Sequence, residues 1–164
     1  MQIFKDIDQF LKRVEETILI SLVILMVFLA FFQVVLRNIF SAGIIWADIF
    51  LRHLVLWIGL LGAVLVTRER RHIKIDIFSK FFSEKAQPKI YLGMDTLSLF
   101  VTILLTKASY IFVVSEKLGG SLLFLNIPTW VMESIIPIAF ALISLHFLIR
   151  IFEGIYEIVR KESR

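Results

Sequence analysis

The sequence predicts an all-α integral membrane fold: four transmembrane helices accompanied by short amphipathic helices at the membrane interface. Three observations predict it. Of the 164 residues, 59% are hydrophobic, and the mean hydropathy is +0.87, whereas a soluble domain is about 45–50% apolar. The apolar residues gather into four stretches, each near the ~20 residues that carry a helix across a ~30 Å hydrocarbon core. The basic residues gather in alternate connections between those stretches. A net charge of +4 could suggest nucleic acid, but this placement is that of membrane topology rather than of a DNA-binding face. Phe is frequent and Pro scarce, which argues against disorder. There is no cysteine, so disulfides, thiolate metal sites and thiol nucleophiles are excluded.

The whole chain, 1–164, reads as one membrane domain. Segment 1–16 places Phe4, Ile7, Leu11 and Val14 at helical spacing, with Lys5, Asp8, Lys12 and Glu15 off that face. It is expected to be an interfacial helix. The first span, Thr17–Leu36, carries no charge. It is too long for the apolar core of a signal peptide and leads only to Arg37-Asn38, so it is expected to be retained. The second span covers about 49–67. A basic connection, 67–89, follows; within it Phe78, Phe81 and Phe82 face away from Lys80 and Lys85, which predicts a second interfacial helix over about 76–86. The third span covers about 90–114, interrupted by Asp95 and Lys107. The fourth, about 130–149, carries Glu133 and Pro137 in its first turns. The two halves share no motif, which argues against an inverted-repeat transporter in one chain.

Segments 1–16, 67–89 and 150–164 hold 14 of the 18 Lys and Arg residues. Connections 37–48 and 114–129 hold one each, Arg37 and Lys117, and Arg52 and Lys107 lie within spans. The positive-inside rule therefore places both termini and the middle loop in the cytoplasm. Four spans require the termini to share a side, so the two readings agree.

Charges inside spans are costly, about 2.5–3.5 kcal/mol each at mid-bilayer on insertion scales. Asp48, Arg52, Lys107 and Glu133 all fall toward the outer ends of their helices, and Asp48 and Arg52 are i,i+4 partners. The expectation is an outer polar cluster in which Asp48 and Glu133 neutralise Arg52 and Lys107, joining helices or docking a partner rather than binding a ligand. Asp95 stands alone near the inner end of its span, within reach of the interface by snorkelling. Gln33 and Asn38 are expected to hydrogen-bond between helices. Gly59 and Ala63, with Gly62 beside them, form a small-xxx-small pair that permits close helix approach. Trp46, Trp57 and Trp130 include two at the outer interface, as an aromatic belt would place them.

No HExxH, phosphate-binding glycine loop or GxSxG is present, so no enzyme is read here and no cofactor is expected in this chain. The histidines disfavour a haem-bearing membrane anchor of a redox enzyme. His53 and His146 differ in depth by roughly 20 Å, too far for one iron, and His72 lies in the cytoplasmic loop. A self-sufficient small four-helix transporter of the multidrug type would need an unpaired acid in the first span, which has none.

The chain further reads Arg37-Asn38-Ile39-Phe40, Trp46-Ala47-Asp48 and Arg52. It continues through Trp57-Ile58-Gly59-Leu60-Leu61-Gly62-Ala63, Arg68 and His72-Ile73-Lys74-Ile75-Asp76, and later Ile127-Pro128-Thr129-Trp130 with Pro137. In order and spacing, over nearly its whole length, it resembles the small membrane subunit (DctQ-like) of tripartite ATP-independent periplasmic (TRAP) transporters. One departure is Ile49, where that family often carries a second acid. The resemblance implies the bacterial inner membrane and two protein partners. A periplasmic solute-binding protein would capture a carboxylate, such as a C4-dicarboxylate or sialic acid. A large multi-span permease subunit would import it on a sodium gradient. This chain would be the scaffold that packs against the permease among the membrane lipids.

Overall fold

The computed structural model describes residues 2–41, 43–69 and 87–162. Their elements are α1 (Gln2–Phe40), α2 (Ile45–Glu69), α3 (Gln87–Gly119), a 3-10 turn (Phe124–Asn126), α4 (Thr129–Glu133) and α5 (Ile135–Glu162). No strand occurs among the described residues, only an isolated antiparallel bridge between Leu122 and Pro128. Among the described residues, four segments are long and apolar enough to cross a membrane: Arg13–Phe40, Ile45–Arg68, Lys89–Gly119 and Thr129–Tyr156. Each contains one of the four expected spans and runs past it. The expected spans stop where charges begin, whereas a helix stops only where its backbone bonding fails.

That difference matters most in α1. Residues 1–42 contain neither Gly nor Pro, so nothing in the sequence breaks the i→i−4 ladder. The helix is continuous for 39 residues. Residues 2–16 of the amphipathic segment are therefore continuous with the first spanning helix rather than a separate short element; the side chains of residues 2–12 lie outside the description. The second expected interfacial helix, 76–86, also lies outside the described residues, as do His72 and Asp76. The helix ends at Ser41, whose φ of 49° is left-handed and cannot continue it. The fourth span shows the opposite case, being divided at Ser134 into α4 and α5. Pro137 has no N–H to offer the carbonyl of Glu133, and its ring crowds that carbonyl, which accounts for the break that follows Glu133.

The described chain divides into two compact units. The first comprises Met1–Leu65 with Phe112–Ile135, the second Val66–Ile111 with Ile136–Arg164. In the first, Ala47, Leu54, Val64 and Leu65 are buried together with the amide of Gln33. In the second, Ala139 and Ile143 are buried along with Thr102 and Ser109. Both cores are small and include alanine, as expected where helices gain by close backbone approach and lipid is as apolar as leucine. Only 6% of the apolar window of the first span is buried. Most of its Ile, Val and Phe side chains are therefore exposed rather than part of an internal core.

Candidate functional site

The first unit is fastened at the end that carries the short connections. Gln33 on α1 is buried and bridges to the start of α2. Its Nε2 donates to the carbonyl of Ile44 at 3.0 Å and to Oδ1 of Asp48 at 3.2 Å, while its Oε1 accepts from the Ile44 N–H at 3.4 Å. One amide thus uses donor and acceptor together to close the turn between two helices. Gly43 sits beneath it; a Cβ there would stand 3.8 Å from Gln33 Nε2 and 3.9 Å from Arg37 Nε.

The connection between α3 and α4 folds over this end as a tight hairpin. Gly120 enters with φ of 66°, which glycine adopts without steric cost. Leu123 N–H donates to Ile127 O at 2.8 Å and Thr129 N–H to Ser121 O at 3.0 Å. The hairpin presents Phe124 to two rings of α2, Trp46 at 5.9 Å and Phe50 edge-on at 5.8 Å. Lys117 lies over the Trp130 ring at 5.0 Å. Pro128 precedes the first residue of α4 with φ of −64°. Deeper along α2, Trp57 Nε1 donates to the Met132 carbonyl at 2.8 Å, close to the helix break.

The four outer charges do not form the expected network within the first unit. Asp48 is half-buried and is held by the amide of Gln33. Arg52 is exposed and makes no ion pair or hydrogen bond among the described residues; Asp48 is one turn away but turned toward α1. Glu133 has a buried Oε2 without a hydrogen-bond partner there, and Glu116 and His53 lie near enough to act on its charge. His53 itself bonds through Nδ1 to the Ile49 carbonyl at 2.8 Å. Lys107, in the second unit, is exposed. Charges of similar depth can point to different sides of their helices, and residue counting along a span measures depth alone.

Sequence reasoning missed an ion pair in the second unit. There Asp95 Oδ1 lies 2.7 Å from Nη2 of Arg150, with side-chain exposures of 13% and 20%. Asp95 does not snorkel alone. Its cation comes from α5, 55 positions along the chain, from a residue that sequence reading assigned to the basic tail. Several hydroxyls in this unit, those of Thr96, Thr102, Thr106, Ser109 and Ser144, turn back on their own helices. Thr102 Oγ1 donates to Ser98 O at 2.9 Å and Ser109 Oγ to Leu105 O at 2.7 Å. Among the other motif residues, Arg37 is exposed while Trp130 and Pro137 are half-buried. Gly59 and Ala63 are exposed and Gly62 is half-buried on α2. No group of His, Asp or Glu among the described residues could hold a metal ion.

Taken together, these contacts have the chemistry of a fastening: neutral hydrogen bonds and ring contacts in the first unit, a half-buried ion pair in the second. Comparison with known proteins adds what the chain is similar to. The profile of the family described as "Tripartite ATP-independent periplasmic transporters, DctQ component" matches residues 26–156. A protein of Haemophilus influenzae strain Rd carrying the name "Putative TRAP transporter small permease protein" is 29% identical over 107 residues. That match covers 65% of this chain and 66%, just under two thirds, of the relative.

Proposed function

This chain belongs to the DctQ family of TRAP transporters, and from that premise we propose that it is the stationary small subunit of a sodium-coupled carboxylate importer. It packs against the large permease subunit and anchors it in the bacterial inner membrane. A periplasmic binding protein delivers the solute, a C4-dicarboxylate or a sialic acid being the expected class. Both termini and the loop 67–89 face the cytoplasm, in keeping with the 14 of 18 basic residues held there. The Gln33–Asp48 end and the hairpin over Phe124 then face the periplasm.

The observation that carries the scaffold reading is how most of the polar groups inside the spans are used, Arg52, Lys107 and Glu133 being the exceptions. Gln33 is consumed by Ile44 and Asp48, Trp57 by Met132, Asp95 by Arg150, and Thr102 and Ser109 by their own helices. A permeation path needs polar groups free to exchange partners with a moving solute. A stator needs them tied.

Reconstitution tests this. Proteoliposomes containing this chain, the large subunit and the binding protein are expected to accumulate solute only under an inward sodium gradient. Liposomes with this chain and the binding protein alone are expected to take up none; uptake there would overturn the scaffold reading. Because the chain lacks cysteine, single cysteines report topology cleanly. Ser121→Cys should react with an impermeant maleimide in intact cells, whereas Ser163→Cys should react only after permeabilisation.

A further inference from the structure

We infer that one face of α2, bearing Arg52, Leu56, Gly59 and Ala63, is the seam on which a transmembrane helix of the large permease subunit lies. That helix carries an Asp or Glu at the level of Arg52. The inference rests on the scaffold reading and goes beyond it by naming the face and the chemistry of its partner.

Three observations converge on this face. At about 100° per residue, Arg52, Leu56, Gly59 and Ala63 fall within about 60° of one another. Of the buried residues of α2, Ala47, Leu54 and Leu65 fall about 200–220° around the helix from Arg52 and Val64 about 120°. The face thus points away from the core of its own unit, and all four of its residues are exposed. Second, it has the shape that membrane helices use to meet. Small residues four apart let two backbones approach closely where hydrophobic force is absent. This chain leaves that notch open: among the described residues no atom lies within 4 Å of where a Cβ on Gly59 or on Gly62 would stand.

Third, the face carries a charge that lipid does not accept. The crossing segment is Ile45–Arg68. Centred in a ~30 Å core, it holds Arg52 about 8 Å inside the hydrocarbon boundary. Snorkelling recovers part of the cost, and a carboxylate across the seam recovers the rest with a charge-assisted bond. Arg52 and Gly59 are seven residues apart, about 10 Å along the axis. The partner helix therefore crosses at Gly59 and places its acid about two turns nearer the Arg52 end. A second copy of this chain fits less well. A parallel pair crossing symmetrically at Gly59 would set two Arg52 side chains at one depth, and the nearby carboxylate of Asp48 is already engaged by Gln33.

The test is co-purification of the tagged large subunit with this chain from membranes in mild detergent. Gly59→Leu fills the notch and Arg52→Gln removes the charge at similar length. Each is expected to cut recovery of the large subunit roughly tenfold, about 1.4 kcal/mol of association. Membrane insertion and the melting of the isolated chain should be unchanged by Gly59→Leu, since the chain itself does not occupy that space. Gly93→Leu, on an exposed position of α3 that also has no atom within 4 Å of its Cβ site, is the control and should leave recovery intact. Undiminished recovery with both α2 variants, or equal loss with Gly93→Leu, overturns the assignment of this face while leaving the scaffold reading in place. Failure of the wild-type chain to recover the large subunit overturns the scaffold reading itself. Leu56→Cys, oxidised in membranes holding both subunits, should give no self-linked dimer; a dimer band would assign the face to a second copy.

Discussion

The two units of this chain hold polar groups inside a membrane by different means. In the unit of Met1–Leu65 and Phe112–Ile135 the work is done by neutral donors, the Gln33 amide and the Trp57 indole, bonded to backbone carbonyls and one carboxylate. In the unit of Val66–Ile111 and Ile136–Arg164 it is done by opposite charges, Asp95 and Arg150, mostly withdrawn from solvent. The difference lies in what remains when one partner is lost. A stranded amide or carbonyl can borrow another bond, and interhelical hydrogen bonds in membranes average only about 0.6 kcal/mol. A stranded buried charge cannot, and losing one half of such a pair costs about 3–5 kcal/mol. The first unit should therefore tolerate single substitutions that the second does not.

The largest effect is expected at the ion pair. Arg150→Met should lower the unfolding free energy of the chain in detergent by about 3 kcal/mol, because Asp95 keeps its charge and loses the guanidinium 2.7 Å from it. The double variant Asp95→Asn with Arg150→Met should recover most of that loss, since two neutral groups of similar volume need no counter-charge. Unfolding by SDS titration of the three proteins measures this. Additive losses in the double variant would show that Asp95 is stabilised by something other than Arg150.

Next in size is the amide latch. Gln33→Leu removes bonds to Ile44 and Asp48 and leaves the Ile44 N–H and carbonyl to the end of the membrane, where water is near. A loss of about 1–2 kcal/mol is expected. Gln33→Glu should cost more, as it sets a second carboxylate against Asp48 at hydrogen-bonding distance. Near-equality of the two variants would mean that the latch is shape alone and that Asp48 contributes nothing to it.

These contacts also show which parts of the molecule could be read from sequence. The spans could, because a run of about 20 apolar residues needs no knowledge of neighbours to be recognised. The structure bears out the expectation for Gln33 as well, since an amide in a charge-free run has to bond across to another helix; its acceptors were hidden, because they depend on how the chain turns between Phe40 and Ile45. Asp95 and Arg150 were legible singly and not as a pair. Asp95 was explained by snorkelling and Arg150 by the basic tail, and only tertiary structure brings positions 55 apart to 2.7 Å. Phe124 gave no signal at all, being one of 16 phenylalanines. Depth along a span follows from residue counting, while the side to which a charge points follows from packing, which is why Asp48 and Arg52 were expected to pair and instead turn apart.

The smallest effect isolates a neutral bond with no network around it. Trp57→Phe keeps an aromatic ring in place and deletes one N–H, leaving the Met132 carbonyl without its donor. The lost hydrogen bond and the smaller ring together should cost about 0.5–1.5 kcal/mol. What the comparison needs is the ratio to Gln33→Leu. If neutral contacts act independently, two or three bonds at Gln33 should outweigh one at Trp57 in rough proportion, and the double variant should lose the sum of the two. Met132 adjoins the break that Pro137 forces in the fourth span, so Trp57 also steadies carbonyls that the helix cannot bond for itself. A Trp57→Phe loss larger than that of Gln33→Leu would locate the weak point of the first unit at that break rather than at the turn closed by Gln33, and would overturn the assignment of the amide as its principal fastening.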